Sequence, residues 1–138
     1  MKGIPVRIEV GPKDLEKGKA VLFRRDTLEK ITVELDTVVE SVEKLLEEIQ
    51  NNLFEKAKAH REKRTSVAHN MDEFKKALDE NPGFIKAMWC GDPECEAKIK
   101  EETTATIRCL PFEQEKVGDC CVYCGKPADK MAIIAKAY

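Results

Sequence analysis

Trp89-Cys90-Gly91-Asp92-Pro93-Glu94-Cys95 and, further along the chain, Cys121-Val122-Tyr123-Cys124-Gly125-Lys126-Pro127 are two cysteine knuckles. Two close thiol pairs, Cys90-x4-Cys95 and Cys121-x2-Cys124, supply the soft quartet that a tetrahedral Zn²⁺ site requires. Gly91 and Gly125 each follow a cysteine directly, so the backbone can turn tightly and aim N–H groups back at sulfur. Neither knuckle offers a spare His, and the full set of four thiolates predicts a closed structural site rather than a catalytic one. The first pair is looser than the usual x2 spacing, and Cys120-x3-Cys124 is a geometric alternative. The tighter CxxC-Gly knuckle favours Cys121 and leaves Cys120 as the odd thiol. Cys109 lies in an apolar, strand-like run and reads as a small buried hydrophobe. The competing readings of the quartet are a disulfide pair or ordinary buried thiols.

Working outward, Phe84-Ile85-Lys86-Ala87-Met88-Trp89 reads as a strand that delivers Cys90, stopped upstream by Pro82-Gly83. Residues 94–101 are helical in pattern, 104–110 are β-prone, and 131–137 close the chain as a last strand. Met71 to Asn81 is a helix with Asn70 as N-cap and Glu73 in an imperfect capping box, and residues 65–70 before it break the pattern. Helices and strands round a four-thiol knuckle predict a small α+β domain over residues 65–138.

Before it, Val38, Val42, Leu45, Leu46, Ile49, Leu53 and Ala57 recur at i, i+3, i+4 spacing, which predicts one long amphipathic helix from about Thr37 to Lys63. Residues 4–10 alternate at period two before Gly11-Pro12; 13–19 read as a helical turn with Asp14 as N-cap. Residues 20–26 and 30–34 read as two further strands. Residues 1–64 thus predict an α/β portion, a mixed sheet with a long helix. Sheet edges left open with no preceding helix suggest that the chain begins in mid-domain.

The chain has 138 residues, 42% hydrophobic and 36% charged, enough for one domain or one small domain and part of another. No apolar run is long enough to span a membrane, and no signal-type leader is present, so the cysteine usage points to the reducing cytoplasm. The net charge of −2 conceals blocks: +3 over residues 2–30, −6 over 31–55 and +4 over 56–64, the last from Lys56, Lys58, Arg61, Lys63 and Arg64 against Glu62. Such blocks hint at an anionic partner, or simply form solvated faces. No phosphate-binding loop occurs, Ser41 and Ser66 lie in no nucleophile motif, and His60 and His69 read as solvated helix and loop residues. No catalytic residue is assigned.

Gly3-Ile4-Pro5-Val6-Arg7-Ile8-Glu9-Val10-Gly11-Pro12-Lys13-Asp14 resembles the strand–turn of the anticodon-binding domain of prolyl-tRNA synthetases. Trp89-Cys90-Gly91-Asp92, the run Lys100 to Phe112, and Cys121-Val122-Tyr123-Cys124-Gly125 resemble the family's C-terminal zinc-binding domain, in its archaeal and eukaryotic type. The ending Ala135-Lys136-Ala137-Tyr138 is similar to the family's tyrosine terminus. The resemblance implies an α/β anticodon-binding fragment (residues 1–64) followed by a small α+β zinc-binding domain (residues 65–138). It implies Zn²⁺ held by Cys90, Cys95, Cys121 and Cys124, and recognition of the proline tRNA anticodon stem-loop by Arg7, Glu9, Lys13, Asp14, Arg24 and Arg25. The family's enzymes are homodimeric class II ligases that use ATP and Mg²⁺ to make prolyl-adenylate and then prolyl-tRNA. Nothing in this sequence corresponds to their catalytic domain, so a C-terminal portion is expected, with Tyr138 contacting that domain and no DNA or membrane partner. A free-standing RNA- or protein-binding module derived from such an enzyme is the alternative.

Overall fold

The structure is a computed structural model describing residues 3–136, and it divides into two compact units, residues 1–59 and 60–138. Tyr138 lies outside the described residues.

In the first unit, β1 (Val6–Glu9), β2 (Lys19–Arg24) and β3 (Lys30–Glu34) form an antiparallel sheet in the order β1-β2-β3. The five-residue α1 (Pro12–Glu16) bridges β1 and β2. Asp14 does not cap this helix as expected: Gly11 is the N-cap, and Asp14, at the third helical position, accepts a hydrogen bond from the Gly11 N–H at 2.9 Å. A carboxylate there satisfies an orphan donor of the first turn just as well.

Strand pairing sorts the side chains by parity. Leu22 opposes Ile8 and Ile31, whereas Phe23 opposes Arg7 and Lys30. The Leu22 face is the buried one, packed with Val6 and Val33 against Val38, Val42, Leu45 and Ile49 of α2 (Val38–Lys63). The Arg7–Phe23–Lys30 face points the other way.

Asp26, just past β2, ties its turn to this helix. Arg24 donates to both of its carboxylate oxygens at 2.9 Å, Asn52 donates to Oδ2, and the Lys56 ammonium reaches its carbonyl at 3.3 Å. The Arg24 guanidinium, opposed by the cost of burial and helped by Asn52, holds the Asp26 carboxyl well below the usual carboxylate range. A carboxylate with a depressed folded-state pKa stabilises the fold above its unfolded value, near 3.9, and that stabilisation drains away as pH falls below it. The first unit should therefore lose thermal stability between about pH 4 and pH 2, and Asp26→Asn should flatten that dependence. Unfolding curves followed across that range, with helix signal as the readout, check the expectation.

The second unit holds a four-stranded sheet in the order β4-β5-β7-β6, made of β4 (Thr65–Val67), β5 (Phe84–Trp89), β6 (Ala105–Cys109) and β7 (Lys130–Lys136). β4 runs parallel to β5, and β7 pairs antiparallel with β5 and β6. Ile85, Ala87, Ala132 and Ile134 line one face, sealed by Phe74 and Leu78 of α3 (Met71–Glu80) and Ile99 of α4 (Pro93–Thr103). The expected Asn70 cap is present: its side-chain oxygen accepts the Glu73 N–H at 2.9 Å, and Glu73 reaches back to the His69 N–H at 2.9 Å.

The break in the helical pattern at 65–70 lies between α2 and α3 and contains β4, a strand of three residues. One expectation needs correction: Cys109 is exposed, not buried. It ends an edge strand, and a register shift between Ile107 and Cys109 turns it away from the core. Among the described residues no helix is long and apolar enough to cross a membrane.

Candidate metal centre and open sheet face

Four thiols converge in the second unit. β5 carries Cys90 off its end, and Asp92 then starts α4 by accepting the Glu94 N–H at 2.9 Å. Pro93 at the first helical position suits this start, and Cys95 falls in the first turn, where the helix dipole favours negative charge on sulfur. The Trp89 indole donates to the Asp92 carbonyl at 3.1 Å and braces the turn. Gly91 sits at φ +87°, and a Cβ there would meet the Lys130 ammonium at 3.1 Å. The positive φ is what calls for Gly, since the tip of the Lys130 side chain can move aside.

The second knuckle is a small hairpin. Cys121 N–H donates to the Lys126 carbonyl at 2.8 Å, Ala128 N–H to the Asp119 carbonyl at 2.9 Å, and Gly125, at φ +70°, closes the turn. Val122 N–H docks on the Met88 carbonyl at 2.9 Å while its side chain enters the core. Tyr123 donates to Glu102 at 2.9 Å, and Lys75 grips the same carboxylate at 2.7 Å.

The ligand atoms of Cys90, Cys95, Cys121 and Cys124 all lie within 4.8 Å of one another. The Cys90–Cys95 and Cys90–Cys124 sulfur separations are 3.7 and 3.8 Å. A tetrahedral ion with metal–sulfur bonds near 2.3 Å has edges of about 3.8 Å, so the quartet could hold a metal ion as it stands. All the cysteines are free thiols, and Cys120 is exposed and not part of the quartet. Burial pushes the Cys95 thiol well up. Burial acts the same way on Cys121, but N–H groups of Cys124, Tyr123 and Cys90 aimed at its sulfur bring it down to about 7. Those N–H groups are the device that stabilises thiolate charge in a knuckle.

In the first unit the expected RNA-contacting residues separate. Arg7 and Glu9 share the open face of the sheet. Glu9 is gripped by Lys30 at 2.8 Å and by Arg7 Nε at 2.9 Å, and these bonds hold it below the usual carboxylate range. The Arg7 guanidinium lies 4.7 Å from the Phe23 ring centre. Lys13 and Arg25 are exposed. Arg24 stands apart: it is on the helix-covered face, 12% exposed, and engaged by Asp26 and Glu48. Asp14 is occupied by its capping bond. Phe23 and Lys30 share the Arg7 face and were not among the residues expected there, although period-two alternation across β2 places Phe23 on the face of Arg25.

The chain thus combines an α+β unit with a four-thiol cluster that could hold a metal ion and a helix-backed sheet whose other face is open and charged. Residues 71–138 match the family model described as prolyl-tRNA synthetase, C-terminal, and residues 1–45 match that of the anticodon binding domain. Proline–tRNA ligase 2 of Clostridioides difficile is 64% identical over all 138 residues of this chain. The proline–tRNA ligases of Oceanobacillus iheyensis and Alkaliphilus oremlandii are 57% and 55% identical over the same length. The chain spans 29% of the length of each. It belongs to the prolyl-tRNA synthetase family, of which it carries the anticodon-binding and C-terminal domains.

Proposed function

We propose that this chain is the tRNA-recognising and zinc-bearing part of a proline–tRNA ligase. The anticodon of a proline tRNA is read on the open face of the β1-β2-β3 sheet. The carrying observation is the division of that sheet into a helix-covered face and an open one bearing Arg7, Glu9, Phe23 and Lys30. Unstacked anticodon bases need both a surface to stack on and paired donors and acceptors. Phe23 offers the former; Arg7 and Glu9 offer the latter, with Lys13 and Arg25 for phosphate. Arg24 and Asp14 support this face from within, through the Asp26 pair and the α1 cap.

Cys90, Cys95, Cys121 and Cys124 hold one Zn²⁺ in a structural role. Four thiolates fill the tetrahedron, leave no position for water or substrate, and tie the two knuckles together. The whole ligase, a cytoplasmic homodimer, joins proline to tRNA with ATP and Mg²⁺ in a catalytic domain of its own, which Tyr138 contacts. The domain division is placed between residues 64 and 65, after α2.

Gel-shift titration of the chain with proline tRNA and with an anticodon-swapped tRNA tests the reading. The swapped tRNA should bind about tenfold or more weakly, and Arg7→Ala should erase most of that difference. Equal binding of the two tRNAs would refute anticodon recognition.

A further inference from the structure

The basic tract at residues 56–64 is used by neither the thiol cluster nor the open sheet face. Within the second unit, its last residues meet others that are distant in sequence. A cavity of about 710 Å³ is lined by His60, Arg61, Arg64, Arg108 and Lys136 around Phe84, with no carboxylate among its lining residues. A neighbouring cavity of about 580 Å³ shares Arg61, Phe84 and Arg108 and is also lined by Glu62 and Lys86, so the two adjoin along one trough. Among the described residues Arg61, Arg64 and Arg108 form no ion pair with any carboxylate. All three are exposed, and Phe84 is 40% exposed.

The carbonyls at and just past the end of α2 do not accept from these guanidinium groups: Arg61 O accepts from the Thr65 hydroxyl at 2.7 Å, Lys63 O from the Asn81 amide at 3.1 Å, and Arg64 O from Phe84 N–H at 2.9 Å. Clustered like charges repel, and a trough whose cations outnumber its one lining carboxylate, Glu62, is stabilised by an external anion. Guanidinium groups present planar forks that match phosphate oxygens two at a time. An exposed aromatic ring among them adds a face on which a base can stack, the pairing by which proteins track a nucleic-acid strand without reading its sequence.

We infer that this trough is a second RNA-binding surface, in which Arg61, Arg64 and Arg108 hold phosphodiester groups and Phe84 stacks on a base. The inference rests on the proposal that the chain binds tRNA, but it concerns the other unit and a sequence-independent mode of contact.

Fluorescence anisotropy of the 138-residue chain with labelled proline tRNA, across a salt series, tests it. Each phosphate contact contributes about 0.7–0.9 to the slope of log affinity against log salt. Arg61→Ala/Arg64→Ala/Arg108→Ala should lower that slope by about 2 and weaken binding at least tenfold at 0.1 M salt, equally for proline and anticodon-swapped tRNA. The Arg→Lys triple variant should keep the slope. Phe84→Leu should weaken binding without changing it. An unchanged slope in the alanine variant overturns the inference, as does loss of polyglutamate binding with RNA binding intact, which would assign the trough to an acidic polypeptide. If the wild-type chain ignores the anticodon swap while the variant still loses slope, the anticodon reading fails and this one stands. Intact discrimination with an unchanged slope is the reverse.

Discussion

Cys95→Ser and Cys121→Ser should each strip the bound metal and unfold the second unit, whereas Cys120→Ser should leave metal content and melting unchanged. Cys95 and Cys121 are the two buried members of the quartet, and each anchors a different knuckle. Beyond the buried Val122, its bond to Met88 and the Tyr123–Glu102 bond, the unit has little else to hold its second knuckle. No strand is assigned between Cys109 and Lys130, and the hairpin there rests on one isolated bridge between Cys120 and Pro127 and a handful of backbone bonds. Four of its core residues (Ala68, Ala87, Ala105 and Ala132) are alanines, which bury little apolar surface each. A structural zinc ion contributes on the order of 10 kcal/mol to folding, comparable to the whole stability of an ordinary domain. Losing one ligand removes a large share of that. Elemental analysis of native protein should give one zinc per chain, and chelation should reproduce the melting curve of Cys121→Ser. Retention of zinc by Cys121→Ser together with its loss from Cys120→Ser would transfer the ligand to the neighbouring thiol.

What could be read from the sequence was whatever is encoded locally. The knuckles were legible because a cysteine, a glycine at positive φ and a helix start lie within a few residues of one another. The α2 stripe was legible because its period of 3.6 persists over many turns. Long-range pairing was not. β4 has three residues and exists only because β5 lies alongside, so nothing within Thr65-Ser66-Val67 marks it. Arg24 and Arg25 look alike in sequence, yet pairing parity sends Arg24 to the helix face, where Asp26 and Glu48 meet it. Cys109 sits in a run that reads as buried, and only the bulge beside it at the sheet edge turns it outward. The trough shows the same limit: Arg61, Phe84 and Arg108 come from three segments that only the β4-β5-β7-β6 order brings together.

Gly83→Ala should be among the most damaging single-methyl changes outside the thiol cluster. In the sequence Pro82-Gly83 reads as a chain stop, a role another turn residue could fill. The structure imposes a different requirement. A Cβ on Gly83 would lie 2.0 Å from the Arg64 carbonyl oxygen and 2.8 Å from the Arg64 Cβ. Both are fixed, because that carbonyl accepts the Phe84 N–H at 2.9 Å and Thr65 is held in register opposite Phe84. The methyl group can be accommodated only by parting β4 from β5, which breaks the parallel pairing and opens the wall of the basic trough. Overpacking of this kind costs about 3 kcal/mol, a fall in Tm of roughly 10 °C or more for a unit of this size. Gly18→Ala is the matched control. Gly18 has φ +64° but nothing within 4 Å of the added carbon, so only backbone strain of about 1 kcal/mol is incurred. Thermal melts of zinc-replete protein should rank the two variants in that order, with metal content unchanged in both. Amide exchange at Phe84 should quicken in the Gly83 variant alone, and equal Tm values for the two would show that β4 can yield without cost.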